Sequence, residues 1–240
     1  MTNLRHKYME QDKQRLYPSR SNRGFYVLTQ LRKHLESTTE KYFVDGQQRT
    51  LVDVGCGSMP YRPLFNPYPI HYVGVDLPGN NQADFYFTDD AKIPLANHHT
   101  DIILSTQVLE HVDDPKTYLE ECFRILKPGG FLILSTHGYW NYHPTPTDYW
   151  RWTGAGLRKI IEDTGFLILE THGIMGLSAA ALQLLQDSIW LKMPKIFRPI
   201  FGLFMQNMIT LCDKLYTPLA RTQNASVFVT ISQKPTNTTD

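Results

Sequence analysis

LVDVGCGSMPYRPLF, from Leu51 to Phe65, is the stretch of sequence that decides the fold of this chain. Its first four residues are typical of a buried strand, and Gly55 and Gly57 follow at the point where such a strand would turn. A Gly-x-Gly turn lets the backbone pass close to a ligand, because no Cβ stands in the way. The stretch therefore predicts a ligand-binding turn at the edge of an α/β sheet, although any strand-to-helix turn also favours glycine.

The residues after this turn argue against a dinucleotide as the ligand. A dinucleotide fingerprint has a third glycine for close helix packing, and it places the pyrophosphate on a helix N-terminus. Here Ser58, Met59 and Pro60 follow Gly57, so the third glycine is missing and a proline disrupts the start of the helix. A ligand without a diphosphate fits better, and dehydrogenase activity is disfavoured.

A second signal for a nucleoside is Asp76, at the end of the predicted strand Tyr72–Asp76. It follows the glycine turn by about 20 residues, the spacing at which an acid accepts hydrogen bonds from the hydroxyls of a ribose. The alternative is an ordinary helix cap or turn residue. The spacing favours the ribose role.

Strands and helices alternate from Thr50 onward, which is the pattern of a mostly parallel sheet. Helices are predicted over Gly24–Ser37, from Asp114 with Pro115 in the first turn, and from Thr153 to Gly165. The predicted strands are Leu51–Val54, Tyr72–Asp76, Asp84–Phe87, Asp101–Ser105, Phe131–Thr136, Phe166–Thr171 and Ser226–Ser232.

The run FTDDAKIPLANHHTDIILSTQVLEHVDDPKTYLEECFRILKPGG, residues 87–130, completes a specific set of motifs. With DVGCG and GVD, the segments DDA-x-x-PL, TDIILS, VLEHV and RILKPGG make the chain resemble the class I S-adenosylmethionine (SAM)-dependent methyltransferases. The resemblance is to the small-molecule group known as methyltransferase type 11, and it is densest over Thr50–Thr136. It implies one α/β domain over residues 1–240, with a Rossmann-like seven-stranded, mostly parallel sheet, helices on both faces and an antiparallel last strand.

The resemblance also implies which residues contact SAM. Those around its methionine part would be Asp53, Gly55, Cys56 and Gly57. Those around its nucleoside would be Asp76 on the ribose, Leu77 against the adenine, Asp90 on the adenine amino group, and Ala91 with its backbone N–H toward the ring. Gln107 would line the pocket near the methyl group. The chain departs from the family at Met59, where a third glycine is frequent.

The loop HGYWNYHPTPTDYWRWT, from His137 to Thr153, is the expected acceptor site. It should lie over the carboxyl edge of the sheet, and its aromatic side chains suit a sugar or another ring-bearing ligand. His143 is the predicted general base, because histidine titrates near neutrality, and Asp148 would orient it or contact a hydroxyl. The alternative is a structural loop in which Asp148 pairs with Arg151.

Methyl transfer from a sulfonium requires few catalytic groups of the protein. It must align donor and acceptor and remove a proton where the acceptor needs it. A metal is not required, and no spacing in the sequence demands one. Glu110 and His111, which follow the fourth predicted strand, are expected to cap or pack more than to catalyse.

The segment 173–224, between the last two predicted strands, is long and rich in Leu, Ile, Met and Phe. It is expected to form two or three helices broken by Pro194, Pro199 and Pro218. One hypothesis is an interfacial segment that gives peripheral membrane contact, since basic residues stand among its apolar ones. The favoured alternative is a helical lid or a homodimer surface.

The amino-acid composition limits the classes of partner that the chain is expected to bind. Lys+Arg number 24 and Asp+Glu 23, which leaves no electrostatic footprint for nucleic acid. The three cysteines suggest neither a disulfide framework nor a metal site, and residues 1–23 form a polar N-terminal arm without a secretory signal. A cytoplasmic protein is therefore expected.

The sequence thus predicts a SAM-dependent methyltransferase that acts on a small-molecule or glycan acceptor, at oxygen. Two other interpretations stay open. The acceptor could be lipid-linked or quinone-like, or the chain could be a SAM-binding scaffold that has lost catalysis.

Overall fold

A seven-stranded sheet organises the chain in the computed structural model, which describes residues 14–144 and 146–236. The strands are β1 Arg49–Val54, β2 Ile70–Asp76, β3 Phe85–Tyr86, β4 Thr100–Thr106, β5 Leu126–His137, β6 Leu167–Ile174 and β7 Val227–Gln233. Their order is β3-β2-β1-β4-β5-β7-β6. The pairs from β3 to β5 are parallel and β7 is antiparallel to both of its neighbours, which confirms the predicted topology.

Helices cover both faces of this sheet. They are α1 Phe25–Tyr42, α2 Arg62–Phe65, α3 Pro115–Ile125, α4 Gly154–Asp163, α5 Leu177–Trp190, α6 Arg198–Asp213 and α7 Pro218–Gln223, with a 3₁₀ turn at Lys195–Phe197. Both predicted helix starts are capped: the Asp114 side chain accepts from two backbone N–H groups of α3, and Thr153 accepts from the N–H of Gly156. Such caps satisfy donors that have no partner inside the helix.

Several predicted boundaries differ from the structure; strand β6, for example, continues to Ile174 and not to Thr171. Helix α1 continues beyond Ser37 to Tyr42, where Thr38 and Thr39 are buried and their hydroxyls donate to carbonyls of the same helix. Strand β5 begins at Leu126 and not at Phe131, since the segment that ends α3 passes directly into the sheet. Pro199 and Pro218 begin helices and do not break them, because a helix needs no N–H in its first turn.

Two hydrophobic clusters form the core, one on each face of the sheet. The first contains Leu31 and Leu35 of α1, and the second contains Leu119 of α3 and Leu157 of α4. Cys56, Cys122 and Cys212 are free thiols. Within the described ranges, no helix is both long and apolar enough to cross a membrane.

The segment 173–224 forms helices α5, α6 and α7, as expected. It leaves the sheet at the end of β6 and returns at the start of β7, where Ile174 lies opposite Val227. Of the polar arm, residues 1–13 lie outside the described part of the chain. Leu16, within the described part, is buried against the core.

Candidate active site

The glycine turn after β1 combines a closed side with an open one. Gly55 and Gly57 have positive φ angles of 75° and 52°, which side chains with a Cβ rarely adopt. A Cβ on Gly55 would stand 2.5 Å from a methyl group of Val108, so this glycine is required by packing. A Cβ on Gly57 would meet no described atom within 4 Å, so the backbone there faces open space that a ligand can enter.

Asp76, at the end of β2, binds this turn directly. Its Oδ2 accepts from the N–H of Gly57 at 2.9 Å and from Asn80 Nδ2 at 2.6 Å, while its Oδ1 accepts from the N–H of Leu77 at 2.8 Å. The Leu77 side chain is 50% exposed, which leaves it available to an aromatic ring. The structure therefore brings Asp76, Leu77 and Gly57 together, as the family resemblance implies.

Sequence reasoning missed Asn80. Its side chain donates to the carbonyl of Gly57 at 2.7 Å as well as to Asp76, so it links the glycine turn to Asp76. The available signal was its place in the Gly-Asn-Asn turn four residues after Asp76. Asparagine side chains commonly bond to nearby backbone in such turns.

Asp53 supplies an unsatisfied buried carboxylate beside the turn. It is 1% exposed, its Oδ2 accepts from the Tyr72 hydroxyl at 2.6 Å, and its Oδ1 has no hydrogen-bond partner among the residues that the structure describes. Burial raises the pKa of Asp53 to about 7, although the bond from Tyr72 opposes that shift. An unpartnered acidic oxygen near the glycine turn fits the ammonium group of a bound amino acid.

Cys56 is buried, and it belongs to the first hydrophobic cluster. Burial raises the pKa of its thiol, so the group is protonated and apolar at neutral pH. Its N–H donates to the carbonyl of Val75 in β2, which places the turn against the neighbouring strand.

The remaining predicted SAM contacts lie on loops outside this bonded group. Asp90 is exposed and binds Thr88 and Lys92, both at 2.6 Å. The N–H of Ala91, which was expected to face the adenine, donates instead to the Thr88 carbonyl at 2.9 Å. Gln107, just after β4, donates from Nε2 to Ser135 Oγ at 2.9 Å. Their contacts with SAM stay predictions.

Met59 keeps the backbone conformation of the glycine that it replaces. Its φ is 55°, and its buried side chain fills the space beside Gly74, where an added Cβ would lie 2.2 Å from Met59 Cε. A methionine in this region is strained by roughly 1–2 kcal/mol, because its Cβ crowds the backbone. The packing of its side chain offsets that strain.

We expect Met59→Gly to lower the free energy of unfolding by about 1 kcal/mol. Relief of the strain recovers part of what is lost when a buried methionine is removed, which is roughly 2–5 kcal/mol. Urea denaturation measures the change. Met59→Ala is the matched control, since it loses the side chain without relieving the strain and should be less stable than Met59→Gly. A Met59→Gly protein more stable than the wild type would contradict this account.

Glu110 and His137 form a buried pair at the carboxyl ends of β4 and β5. Glu110 Oε1 lies 2.7 Å from His137 Nδ1, and Glu110 Oε2 accepts from the Thr136 hydroxyl at 2.8 Å. Burial raises the pKa of Glu110, but the contact with His137 outweighs it and leaves that pKa below its usual value. Glu110 is therefore a carboxylate with no exposed surface.

The backbone of Glu110 also holds the acceptor loop. Its carbonyl accepts from the N–H groups of Tyr149 and Trp150, at 2.8 and 3.2 Å. His111 donates from Nδ1 to the Thr147 carbonyl of the same loop. These contacts match the expected structural role, and the chain separation of Glu110 from His137 explains why the pair escaped sequence reasoning.

His143 and Asp148 meet within the loop. Asp148 Oδ2 accepts from the N–H of His143 at 2.9 Å and lies 3.3 Å from His143 Nδ1. Asp148 is also bound by Arg151 at 2.6 and 2.5 Å, so both arrangements considered from the sequence coexist. Burial raises the pKa of Asp148, but Arg151 holds it well below its usual value.

Two further histidines surround the His143 ring. His137 and His111 lie edge-on to it, with ring centroids at 4.7 and 4.9 Å. Burial, followed by the nearby His137, lowers the pKa of His143, while Asp148 opposes the shift. His143 is consequently neutral at physiological pH and able to accept a proton.

Donor atoms of this cluster come close enough to suggest a metal. Glu110, His137 and His143 form one set within 4.8 Å, and His111, His143 and Asp148 form another. The two carboxylates, however, are engaged by His137 and by Arg151 at hydrogen-bond distances. Asp148 is therefore satisfied by Arg151, whereas Glu110 Oε1 and His137 Nδ1 form an ion pair but no hydrogen bond within the described residues.

An exposed aromatic surface adjoins these histidines. Trp140 stacks on His137 with ring centroids 4.9 Å apart and planes inclined by 10°. The large side chains that the loop leaves exposed are Tyr139, Tyr142, Tyr149 and Trp150. They offer flat apolar faces with polar edges to a ring-bearing molecule.

Comparison with known proteins agrees with this geometry. A family model described as a methyltransferase domain matches residues 6–173. The chain belongs to the class I SAM-dependent methyltransferases. Its cofactor is SAM, and the unpartnered oxygen of Asp53 and the open backbone at Gly57 fit that molecule.

Solved structures show the same fold at low identity. A putative methyltransferase of Haloferax volcanii, in complex with the Trm112 activator, matches with a TM-score of 0.58 at 19% identity. The match covers 98% of this chain and 95% of the Haloferax chain. The [4+2]-cyclase SpnF has a TM-score of 0.56 at 18% identity, over 88% and 84%.

Curated relatives match over shorter stretches. A ubiquinone biosynthesis O-methyltransferase of Cereibacter sphaeroides is 31% identical over 99 residues, which is 36% of this chain and 40% of the relative. A malonyl-[acyl-carrier protein] O-methyltransferase of Hahella chejuensis is 30% identical over 124 residues, which is 46% and 44%. The chain thus spans less than half the length of each.

Proposed function

We propose that this methyltransferase acts on a hydroxyl oxygen of a small-molecule or glycan acceptor. The observation that carries the proposal is His143, a partly exposed neutral imidazole oriented by Asp148 and bordered by exposed aromatic rings. A hydroxyl needs a base to take its proton, and ring-bearing acceptors need flat apolar surfaces. The two named O-methyltransferases among the relatives support oxygen as the methylated atom.

The chemistry divides between the cofactor and the chain. SAM supplies a methyl group activated by its positive sulfur, and the acceptor oxygen gains that methyl while it loses a proton. Asp148 lies closest to Nδ1 of His143, which assigns the ring proton to Nδ1 and leaves Nε2 to receive the acceptor's proton. The aromatic side chains hold the acceptor in line, which is the main contribution of the protein.

The pH dependence of the rate should report His143. Because its pKa is lowered from 6.5, kcat/KM should be flat near pH 7 and fall on the acid side along a limb centred below pH 6.5. Asp148→Asn removes the group that opposes the shift, so the limb should move to still lower pH. A limb above pH 6.5, or one that Asp148→Asn moves upward, would contradict the assignment.

A lipid-linked or quinone-like acceptor is the second candidate, since helices α5 and α6 expose many apolar side chains. Release of S-adenosylhomocysteine should be measured with soluble glycosides and phenols and, separately, with a polyprenyl-linked sugar and a hydroxylated quinone in detergent. Turnover of the first set supports the proposal, and turnover of the second set alone supports the alternative. Tight SAM binding without turnover of any acceptor would favour a non-catalytic scaffold.

A further inference from the structure

Helices α5 and α6 bury polar side chains against the protein and expose many large apolar side chains to solvent. The residues they bury include three glutamines, Gln183, Gln186 and Gln206, each no more than 2% exposed. Met205 and Ile209 are buried beside them, but most of the large apolar side chains of the two helices lie on the opposite side, in solvent. Surface helices normally bury their apolar stripe, so this orientation calls for a partner on the exposed face.

The three glutamines fix the orientation. Their Nε2 atoms donate to one acceptor, the backbone carbonyl of Arg23, at 3.1, 2.8 and 2.7 Å respectively. Gln206 Oε1 also accepts from the N–H of Tyr26, the second residue of α1, at 2.8 Å. These buried, hydrogen-bonded amides hold the hairpin formed by α5 and α6 against the start of α1. If the hairpin rotated so that its apolar side chains faced inward, the amides would lose these partners.

The exposed face is large and concentrated toward the turn between the two helices. Ile196 and Ile200 are 78% and 74% exposed, and Leu191 is 77% exposed. Other exposed apolar side chains of the hairpin are Leu184, Leu185, Ile189, Phe197, Leu203, Phe204 and Leu211. We call this set, with the three named first, the apolar face of the hairpin.

The charges nearest the turn of the hairpin are all positive. Residues 188–212 contain no Asp or Glu, and they contain Lys192, Lys195 and Arg198, all at or beside the turn. Lys192 and Lys195 are exposed, and Arg198 is half-buried. Lysine and arginine beside exposed Ile, Leu and Phe are the composition of segments that lie in the headgroup region of anionic bilayers.

We propose that the apolar face of the hairpin binds the surface of an anionic lipid bilayer. Helices α5 and α6 have 14 and 16 residues, fewer than the roughly 20 that span a bilayer, so they lie on the membrane without crossing it. A second copy of the chain fits less well, because a twofold contact would bring the three cations of both copies together. The proposal does not rest on the identity of the acceptor.

Sedimentation of the full chain with vesicles tests the proposal. Protein should bind vesicles of phosphatidylglycerol and phosphatidylcholine more tightly than vesicles of phosphatidylcholine alone, and salt should weaken the binding. Ile196→Ser, Phe197→Ser and Ile200→Ser combined should lower the partition coefficient at least about tenfold. Lys192→Gln, Lys195→Gln and Arg198→Gln combined should lower it by about fivefold per cation on anionic vesicles only.

Control variants carry the same kinds of substitution elsewhere on the surface. Lys33→Gln, Lys116→Gln and Arg158→Gln remove the same charge from other exposed sites, and Val44→Ser with Leu167→Ser removes exposed apolar groups. Both controls should bind as the wild type does. Absence of wild-type binding, or equal losses in the controls, overturns the proposal. So does a dimer, seen by light scattering, that the serine variant abolishes while vesicle binding is unchanged.

Discussion

Asp76→Ala is expected to weaken the binding of SAM by about two orders of magnitude. The carboxylate is predicted to accept from both ribose hydroxyls, and hydrogen bonds to a charged acceptor contribute about 1.5–3 kcal/mol each. Its loss also leaves the N–H of Gly57 and the amide of Asn80 without this acceptor, so the glycine turn loses one of its hydrogen bonds to β2. Titration calorimetry with SAM and with S-adenosylhomocysteine measures the change.

Two further variants separate the ribose role from a general loss of charge. Asp76→Asn keeps an oxygen that can accept from Gly57 and should bind SAM with intermediate affinity. Asp163→Ala removes an exposed carboxylate of α4 that pairs with Lys159, and should bind as the wild type does. Wild-type affinity in a folded Asp76→Ala protein would show that the ribose lies elsewhere.

His143→Ala is expected to lower kcat by roughly 100- to 1,000-fold, the usual contribution of a general base. SAM affinity should change little, since the predicted SAM contacts come from other loops. His71→Ala is the matched control, because His71 is an exposed histidine at the start of β2, away from the carboxyl ends of the strands. Once an acceptor is known, rapid-quench measurement of a single turnover isolates the chemical step.

The outcome also discriminates between histidines. If His143→Ala retains full kcat and His137→Ala loses it, the general base is His137, the histidine that pairs with Glu110. The assignment to His143 would then be wrong, although the loop would remain the acceptor site. A loss of kcat that the control shares would point to damage to the fold.

Much of the fold could be predicted because local patterns and topology agree. The alternation of strands with helices, and the caps Asp114 and Thr153, are local features with local causes. The errors arose where the environment outweighed the pattern. Thr38 and Thr39 resemble a helix end in sequence, yet both are buried and helical, with hydroxyls that donate to carbonyls of the same helix.

The site was predictable to the extent that its contacts follow from strand ends. Asp76 and Gly57 meet because β1 and β2 are parallel neighbours, so their carboxyl ends coincide. Glu110 and His137 follow β4 and end β5, which are also parallel neighbours, and the same reasoning could have paired them. The exposed face of the hairpin was not predictable, since apolar helices do not reveal which side the glutamines will bury.

The segment between β6 and β7, which carries the hairpin, is attached to the sheet far from the predicted SAM-binding residues. Its chain departs and returns at the opposed residues Ile174 and Val227, so insertions or deletions between them leave the register of β6 and β7 intact. The donor pocket at β1 and β2 lies at the other end of the strand order. If the hairpin binds membranes as proposed, changes confined to this segment would alter where the enzyme binds and leave the predicted SAM-binding residues in place.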